Sequence, residues 1–314
     1  MNRIERYRGC LLGLAAGDAL GTTLEFQRPG SFKPIDDIVG GGPFGLRAGE
    51  WTDDTSMALC LAESLIECRR FDPRDQMERY VRWYRHGHLS STGRCFDIGN
   101  ATRAALESFE RTHEPYAGST NPRSAGNGSI MRLAPVPLFF ARSPREAIAR
   151  AADSSRTTHA ATECVDACRY LAALIVGAVH SASKDELLRD HFEPEPGVWK
   201  AAPLAPKIAA IACGSFKRRN PLDIRGTGYV VDSLEAALWA FHGSESFRDG
   251  ALLAVNLGDD ADTTGAVYGQ LAGAYYGEQG IPEPWRAKLA LREDILVFAD
   301  QLCRLAEEPW ESPS

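Results

Sequence analysis

The amino-acid sequence predicts an all-α fold, a single compact multi-helix domain covering residues 1–314. Three observations predict it. Apolar residues recur at three- and four-residue spacing along most of the chain, the period of a helix with one buried face. No stretch alternates apolar and polar residues as a half-buried strand would, and no internal repeat is visible. Two acidic clusters far apart in the chain read as halves of one site, which puts both ends of the chain in one body.

Taken in order, residues 3–20 form the first helix, with Ile4, Tyr7, Leu11 and Leu14 on one face. It ends in Gly17-Asp-Ala-Leu-Gly21, whose glycines let another backbone come close, and Glu25 follows. Residues 28–49, rich in Gly and Pro, read as loop. Thr52 stands where it would cap a helix running through Ala58, Leu61, Leu65 and Ile66 to about Arg69. A further helix over 73–85 gathers Met77, Tyr80, Val81 and Tyr84. The polar loop 86–99 contains His86 and His88, read as solvated, and Phe96-Asp-Ile-Gly-Asn100 at its end. A helix over 101–111 comes next, then a loop over 118–129. Its phrase Gly126-Asn-Gly-Ser-Ile-Met-Arg132 has the small residues that offer backbone N–H groups to a phosphate. Helices are expected over 144–153 and 157–183, with His159 near the start of the second as a cap or packed residue. An apolar segment at 208–213, a linker at 217–225 and a helix ending at Phe241 follow. The last acidic motif heads a helix to Tyr276, and a terminal helix spans 294–307.

The most informative stretch is Ala254-Val-Asn-Leu-Gly-Asp-Asp-Ala-Asp-Thr-Thr-Gly-Ala266. Asp259, Asp260 and Asp262 crowd between two apolar runs, where burial is costly unless a cation offsets the charge. Far upstream, Gly49-Glu-Trp-Thr-Asp-Asp-Thr-Ser-Met57 repeats the arrangement. Either cluster alone reads as an acidic helix cap. Together, Asp53, Asp54, Asp260 and Asp262 carry four negative charges, the balance for two divalent cations, and Thr52 and Thr263 add neutral oxygens. Hard oxygen donors suit Mg²⁺, Ca²⁺ or Mn²⁺ rather than zinc.

Composition narrows the partners. A net charge of −7 argues against a general nucleic-acid binder, which needs a basic surface. Eight cysteines with no CxxC pair are too sparse for a disulfide scaffold, and Cys164 and Cys168 read as core residues sharing a helix face. Reduced thiols fit the cytoplasm. No apolar run approaches the ~20 residues of a membrane span, and Asp18 breaks the N-terminal apolar run before it could serve as an export signal. The expectation is a cytoplasmic monomer without membrane insertion.

In their order and spacing, Gly17-Asp-Ala-Leu-Gly21 with Glu25, Trp51-Thr-Asp-Asp-Thr55, Gly126-Asn-Gly-Ser129 with Met131-Arg132, Thr158-His159, Gly228-Tyr229 and Gly258-Asp-Asp-Ala-Asp-Thr263 resemble the ADP-ribosylglycohydrolase family. The likeness runs from residue 8 to about 277. It implies an all-α domain with a two-metal Mg²⁺ or Mn²⁺ centre that hydrolyses the C1″ bond between ADP-ribose and an acceptor. Carried onto this chain, it makes Thr52, Asp53, Asp54, Asp260, Asp262 and Thr263 metal ligands. Glu25 and Asp97 become the catalytic carboxylates, with Asp97 tilting the acceptor toward arginine. Gly99 and Asn100 would bind substrate, Asn127, Gly128, Ser129 and Met131 would line the diphosphate and distal ribose, His159 would reach a phosphate, and Tyr229 would lie beside adenosine. Asp259 stands where many relatives have glycine, and its role is open.

The residue types suit that chemistry. Breaking the glycosidic bond builds positive charge on C1″ and the ring oxygen; cations can hold the vicinal hydroxyls, and a carboxylate can take a proton from water. Two other readings remain at this stage. A metal-dependent phosphohydrolase would place Asp260-Ala-Asp262-Thr at the end of a β-strand. A non-catalytic ADP-ribose-binding protein would keep the pocket without turnover.

Overall fold

The computed structural model of the chain describes residues 1–308, and among these there is no β-strand, only helices, loops and three isolated bridges. In chain order the helices are α1 (Arg3–Gly21), α2 (Asp53–Cys68), α3 (Pro73–His86), α4 (Asn100–Thr112), α5 (Pro135–Phe139), α6 (Pro144–Arg156) and α7 (Thr162–Val179). After the short α8 (Lys184–Leu187) and α9 (Val198–Ala201) come α10 (Pro206–Ala212), α11 (Val230–His242), α12 (Phe247–Val255), α13 (Ala261–Tyr276), α14 (Glu283–Lys288) and α15 (Arg292–Leu305). The expected all-α class holds. One continuous core runs from Tyr7 in α1 to Ala306 after α15.

Helices α1 and α13 are the centre of that core. Gly9, Gly13, Gly17 and Gly21 recur every four residues on α1, so they form one stripe. They lie against Gly273, Gly269, Gly265 and Ala261 of α13, so the two helices run antiparallel. A methyl group at any of the four α1 glycines would overlap the backbone of α13, so glycine is what permits this approach. Every residue of α13 from Ala261 to Ala274 is buried, which explains why, past Thr264, Gln270 is the only hydrogen-bonding side chain in that span of small and apolar residues apart from Tyr268.

This pairing positions the site. It sets the C-terminal end of α1, and hence Glu25, beside the N-terminus of α13, which carries Asp260 and Asp262. Backbone bonds complete the junction: Phe26 N–H donates to Asp259 O and Asp259 N–H to Gln27 O, both at 2.7 Å. Gln270, buried on α13, holds the 126–134 segment by donating to Ile130 O and Met131 O and accepting from Ala134 N–H.

Several details differ from the sequence reading, among them helices α9 and α12, which the sequence reading left as a bend and an apolar segment. The helix expected over 157–183 begins at Thr162 and ends at Val179. Residues 157–161 form a turn because side chains compete for their backbone: Thr157 Oγ1 donates to Ser154 O and Ser155 Oγ to His159 O, while Ala160 N–H pairs with Ser119 O. His159 therefore lies before the helix, not on it. Helix α14, too short to reveal a period, was not expected; it buries Trp285. Thr52 occupies the N-cap of α2, but its side chain makes no capping bond.

Candidate metal centre and active site

What caps α2 is a carboxylate from α1. Buried Asp18 accepts four hydrogen bonds: Thr52 N–H at 2.9 Å and Thr52 Oγ1 at 2.9 Å on one oxygen, Thr55 N–H at 3.0 Å and Thr55 Oγ1 at 2.6 Å on the other. Its lone pairs are committed, so it locks the start of α2 in place. Because the Thr52 hydroxyl spends its proton on Asp18, its lone pairs face the other way, toward Asp54 Oδ2 and Asp262 Oδ2, each 3.3 Å off. Thr263 Oγ1 lies 3.4 Å from Asp54 Oδ2. The first acidic cluster thus meets the second across the α1–α13 axis.

A second constellation adjoins the first. Carboxylate oxygens of Glu25, Asp97 and Asp262 all lie within 4.8 Å of one another, so Asp262 belongs to both sets. Asp260, at the N-cap of α13, accepts from Asn127 Nδ2 at 2.9 Å, and that amide also donates to Ser233 Oγ at 2.8 Å. Asp53, on the first turn of α2, is buried near Asp97, Asp54, Asp18 and Glu25.

Electrostatics make this arrangement unfavourable by itself. Burial, then the charges of neighbouring carboxylates, raises Asp53, Asp54 and Asp262 well above the usual carboxylate range. Burial and then Asp97 push Glu25 up to about 10; burial and then Asp260 push Asp97 to about 7. Burial raises Asp18 to about 6 despite its four hydrogen bonds. Three buried oxygens, Glu25 Oε2, Asp54 Oδ1 and Asp262 Oδ1, have no hydrogen-bond partner. Buried polar atoms are almost always satisfied, so these orphans need a partner of another kind. Divalent cations fit. The donors are hard oxygens, and the 3.3–3.4 Å gaps between Thr52, Asp54, Asp262 and Thr263 are close to the edge of about 3 Å between adjacent ligands of an octahedral ion.

The segments expected to bind substrate converge beside this cluster. Gly126 pairs with Tyr229 and Ser119 with His159 through isolated bridges, which bring three separate loops together. A groove of about 700 Å³ opens there, lined by Asn100, Gly126, Gly228 and Tyr229 among others, a size that suits a dinucleotide-like ligand. Tyr229 Oη donates to Glu163 and accepts from Lys207 Nζ, both at 2.6 Å, which fixes its ring. Gly99 and Asn100 are exposed at the N-terminus of α4. Not every expected residue faces the groove by its side chain. Met131 is packed in the core, and the Ser129 hydroxyl accepts from Ser155 Oγ at 2.9 Å inside the protein. His159 lies beneath Gly128, and burial, then Arg132, lowers it to about 3, so it is neutral at neutral pH. Arg132 donates to Thr158 Oγ1, leaving that hydroxyl free to donate to His159 Nδ1; the network assigns the proton to Nε2, which faces the loop.

Sequence reasoning gave Asp18 no role and missed the groove residues Ser119, Arg123 and Ser124. The Gly17-to-Gly21 motif contained the signal for Asp18, an acid inside an apolar helix end. Asp259 has a backbone role: its φ of 54° is left-handed, a conformation glycine adopts freely and Asp tolerates. The Asp260-Ala-Asp262-Thr motif heads a helix rather than ending a strand, which removes the structural context of an aspartyl phosphohydrolase.

Comparison with known proteins agrees with this geometry. The chain is similar to the ADP-ribosylarginine hydrolases Tri1 of Serratia proteamaculans (strain 568), at 45% identity over 97% of this chain and 81% of the relative, and of Pseudomonas putida (strain GB-1), at 48% over 95% and 78%. It is 31% identical to the ADP-ribosyl-[dinitrogen reductase] glycohydrolase of Rhodospirillum rubrum, over 96% and 97%. A solved structure titled ADP-ribosylglycohydrolase-related protein complex superposes with a TM-score of 0.85 at 46% identity, covering 97% of this chain and 99% of that one. The ADP-ribosylglycohydrolase family model matches residues 1–312, and the chain belongs to that family.

Proposed function

We propose that this protein hydrolyses the C1″ bond joining ADP-ribose to arginine, reversing mono-ADP-ribosylation, with two divalent cations, Mg²⁺ or Mn²⁺, held by Thr52, Asp53, Asp54, Asp260, Asp262 and Thr263. The observation that carries the reading is the set of buried, unpartnered oxygens on Glu25, Asp54 and Asp262 inside one carboxylate cluster. That Asp262 is common to two adjacent oxygen sets supports two ions rather than one. Bound there, the cations would neutralise the cluster and hold the vicinal ribose hydroxyls as Lewis acids. The remaining steps belong to the chain. Asn127, Gly128 and the Tyr229 ring orient the ADP-ribose, and the His159 Nε2–H supports the phosphate loop from below. Glu25, enclosed on the floor of the site, takes the proton of the attacking water as its oxygen bonds to C1″. The C1″–N bond breaks with its electron pair left on the guanidine nitrogen, Asp97 passes that nitrogen the proton taken up by Glu25, and arginine departs as guanidinium beside the Asp97 carboxylate. We read residues 1–314 as one domain acting as a cytoplasmic monomer; no helix among the described residues is long and apolar enough to cross a membrane, and all eight cysteines are free thiols.

Incubation with ADP-ribosyl-arginine, ADP-ribosyl-serine and O-acetyl-ADP-ribose, with Mg²⁺ or Mn²⁺, tests the reading. Arginine should be released fastest. Asp97→Ala should lower its turnover ~100-fold or more while ADP-ribose affinity changes little. ADP-ribose binding without hydrolysis of any substrate would make the protein a binder instead. Equal losses of turnover and binding in the variant would make Asp97 structural.

A further inference from the structure

A second groove, of about 710 Å³, shares no lining residue with the first. Its walls are Phe44, Leu46, Arg47 and Glu50 on one side and Ser91, Arg94 and Phe96 on the other. Both stretches that line it lead toward the carboxylate cluster. Phe96 immediately precedes Asp97, and Glu50 stands two residues before Thr52. Phe44 packs against Phe96 with ring centroids 5.3 Å apart and against Phe26, the residue after Glu25, at 6.4 Å. Ser91 Oγ donates to Trp51 O, which ties the far wall to the start of the metal motif.

Two features mark the groove as a recognition surface. Phe26 is 67% exposed although its φ of 61° is unfavourable for a bulky side chain. Its backbone is held by Asp259, so an aromatic ring is kept at the rim in contact with solvent. The second feature is charge. Arg47 and Arg94 are exposed on opposite walls, and neither guanidinium has an ion-pair partner among the described residues. Glu50 offsets only part of this charge, its carboxylate being tied to the Arg47 backbone N–H at 2.7 Å, so the three groups leave the rim at a net +1. The protein is acidic overall, so a basic rim is a local departure from its net charge of −7.

We propose that this groove receives the polypeptide carrying the modified arginine, and that it selects a segment with acidic residues flanking that arginine. The inference rests on the proposed arginine-directed activity. The arginine enters toward Asp97 and Glu25, flanking carboxylates meet Arg47 and Arg94, and neighbouring apolar atoms lie on Phe26, Phe44 and Phe96. A basic segment would face like charge at the rim and be disfavoured.

The test compares kcat/KM for free ADP-ribosyl-arginine with that for ADP-ribosylated peptides whose single arginine is flanked by Glu, Gln or Lys. The wild-type enzyme should prefer the Glu-flanked over the Lys-flanked peptide by ~10-fold or more at low salt, and added NaCl should shrink the gap. The double variant Arg47→Glu/Arg94→Glu should reverse the order of the peptides and leave the free substrate within about twofold of wild type, since surface charge reversal acts on association with the charged flanks. Thermal melts check that the variant folds. If free ADP-ribosyl-arginine is hydrolysed but the flanks make no difference, the groove proposal fails alone. Equal losses on free substrate and peptides in the variant would also overturn it. No hydrolysis of any substrate by the wild type would remove the arginine reading and this inference with it.

Discussion

At the scale of single residues, the site depends on groups that hold other groups. Asp18 touches none of the unpartnered oxygens, yet it orients Thr52 and anchors the turn that carries Asp53 and Asp54. Asp18→Asn keeps the shape but turns an NH₂ toward donors that need an acceptor. The expected cost is about 1–3 kcal/mol of stability, the penalty for leaving a buried donor unsatisfied. Cation affinity should fall as well, because the Thr52 hydroxyl is freed to rotate. Chelator-treated melts and Mn²⁺ titrations measure the two effects, and an unchanged variant would remove the positioning role. The ligand-type residues were legible in sequence because Thr-Asp-Asp and Asp-x-Asp-Thr are dense in chemistry. Asp18 was not, because its partners lie more than thirty residues along the chain and no local pattern links them. Phe26, Asp97 and Asp259 share a left-handed backbone, and all three adjoin or belong to the carboxylate cluster. Strain of this kind gathers at functional sites, where surrounding structure holds it.

At the scale of elements, the α1–α13 pair sets the distance between the two ends of the site. Gly13→Ala separates two opposing effects. Helix propensity alone predicts stabilisation by up to ~1 kcal/mol. The added methyl, however, would overlap the Gly269 carbonyl and force the helices apart. Overpacking of this kind costs about 1–3 kcal/mol or more, so the variant should melt lower than wild type. An equal or higher melting temperature would show that the contact can relax. The helices of α1, α2, α3, α4 and α15 were legible to within a residue or two, because each carries a long apolar period and a clear start. What was not legible follows from weak or competing local signals. The α1 glycines announced a close approach without naming the partner helix. The turn at 157–161 broke an apparently continuous helix through side-chain bonds to its own backbone and a bridge to Ser119. Helix α14 has only six residues, too few to show a face.

At the scale of the whole molecule, the fold collects Asp18, Glu25, Asp53, Asp54, Asp97, Asp260 and Asp262 into one place and then encloses most of them. Burial and mutual repulsion hold most of these carboxyls above their ordinary range, so a cation entering the cluster would displace protons as well as fill space. Adjacent lie two grooves, one suited to ADP-ribose and one proposed for the acceptor. The central claim is that the buried cluster is a catalytic cation centre rather than a pair of acidic helix caps. The most direct measurement is turnover of ADP-ribosyl-arginine by Asp262→Asn at saturating Mg²⁺ or Mn²⁺, beside melts of the same protein with and without chelator. The variant keeps the side chain's size and removes one negative charge. Turnover should fall at least ~100-fold, the order lost with a positioned electrostatic stabiliser. In chelator the variant should melt no lower than wild type, because one of several repelling carboxylates is gone. Near wild-type turnover with undiminished stabilisation by added cation would contradict the account, since a first-turn acid that serves only its helix loses no more than a modest dipole interaction on becoming Asn.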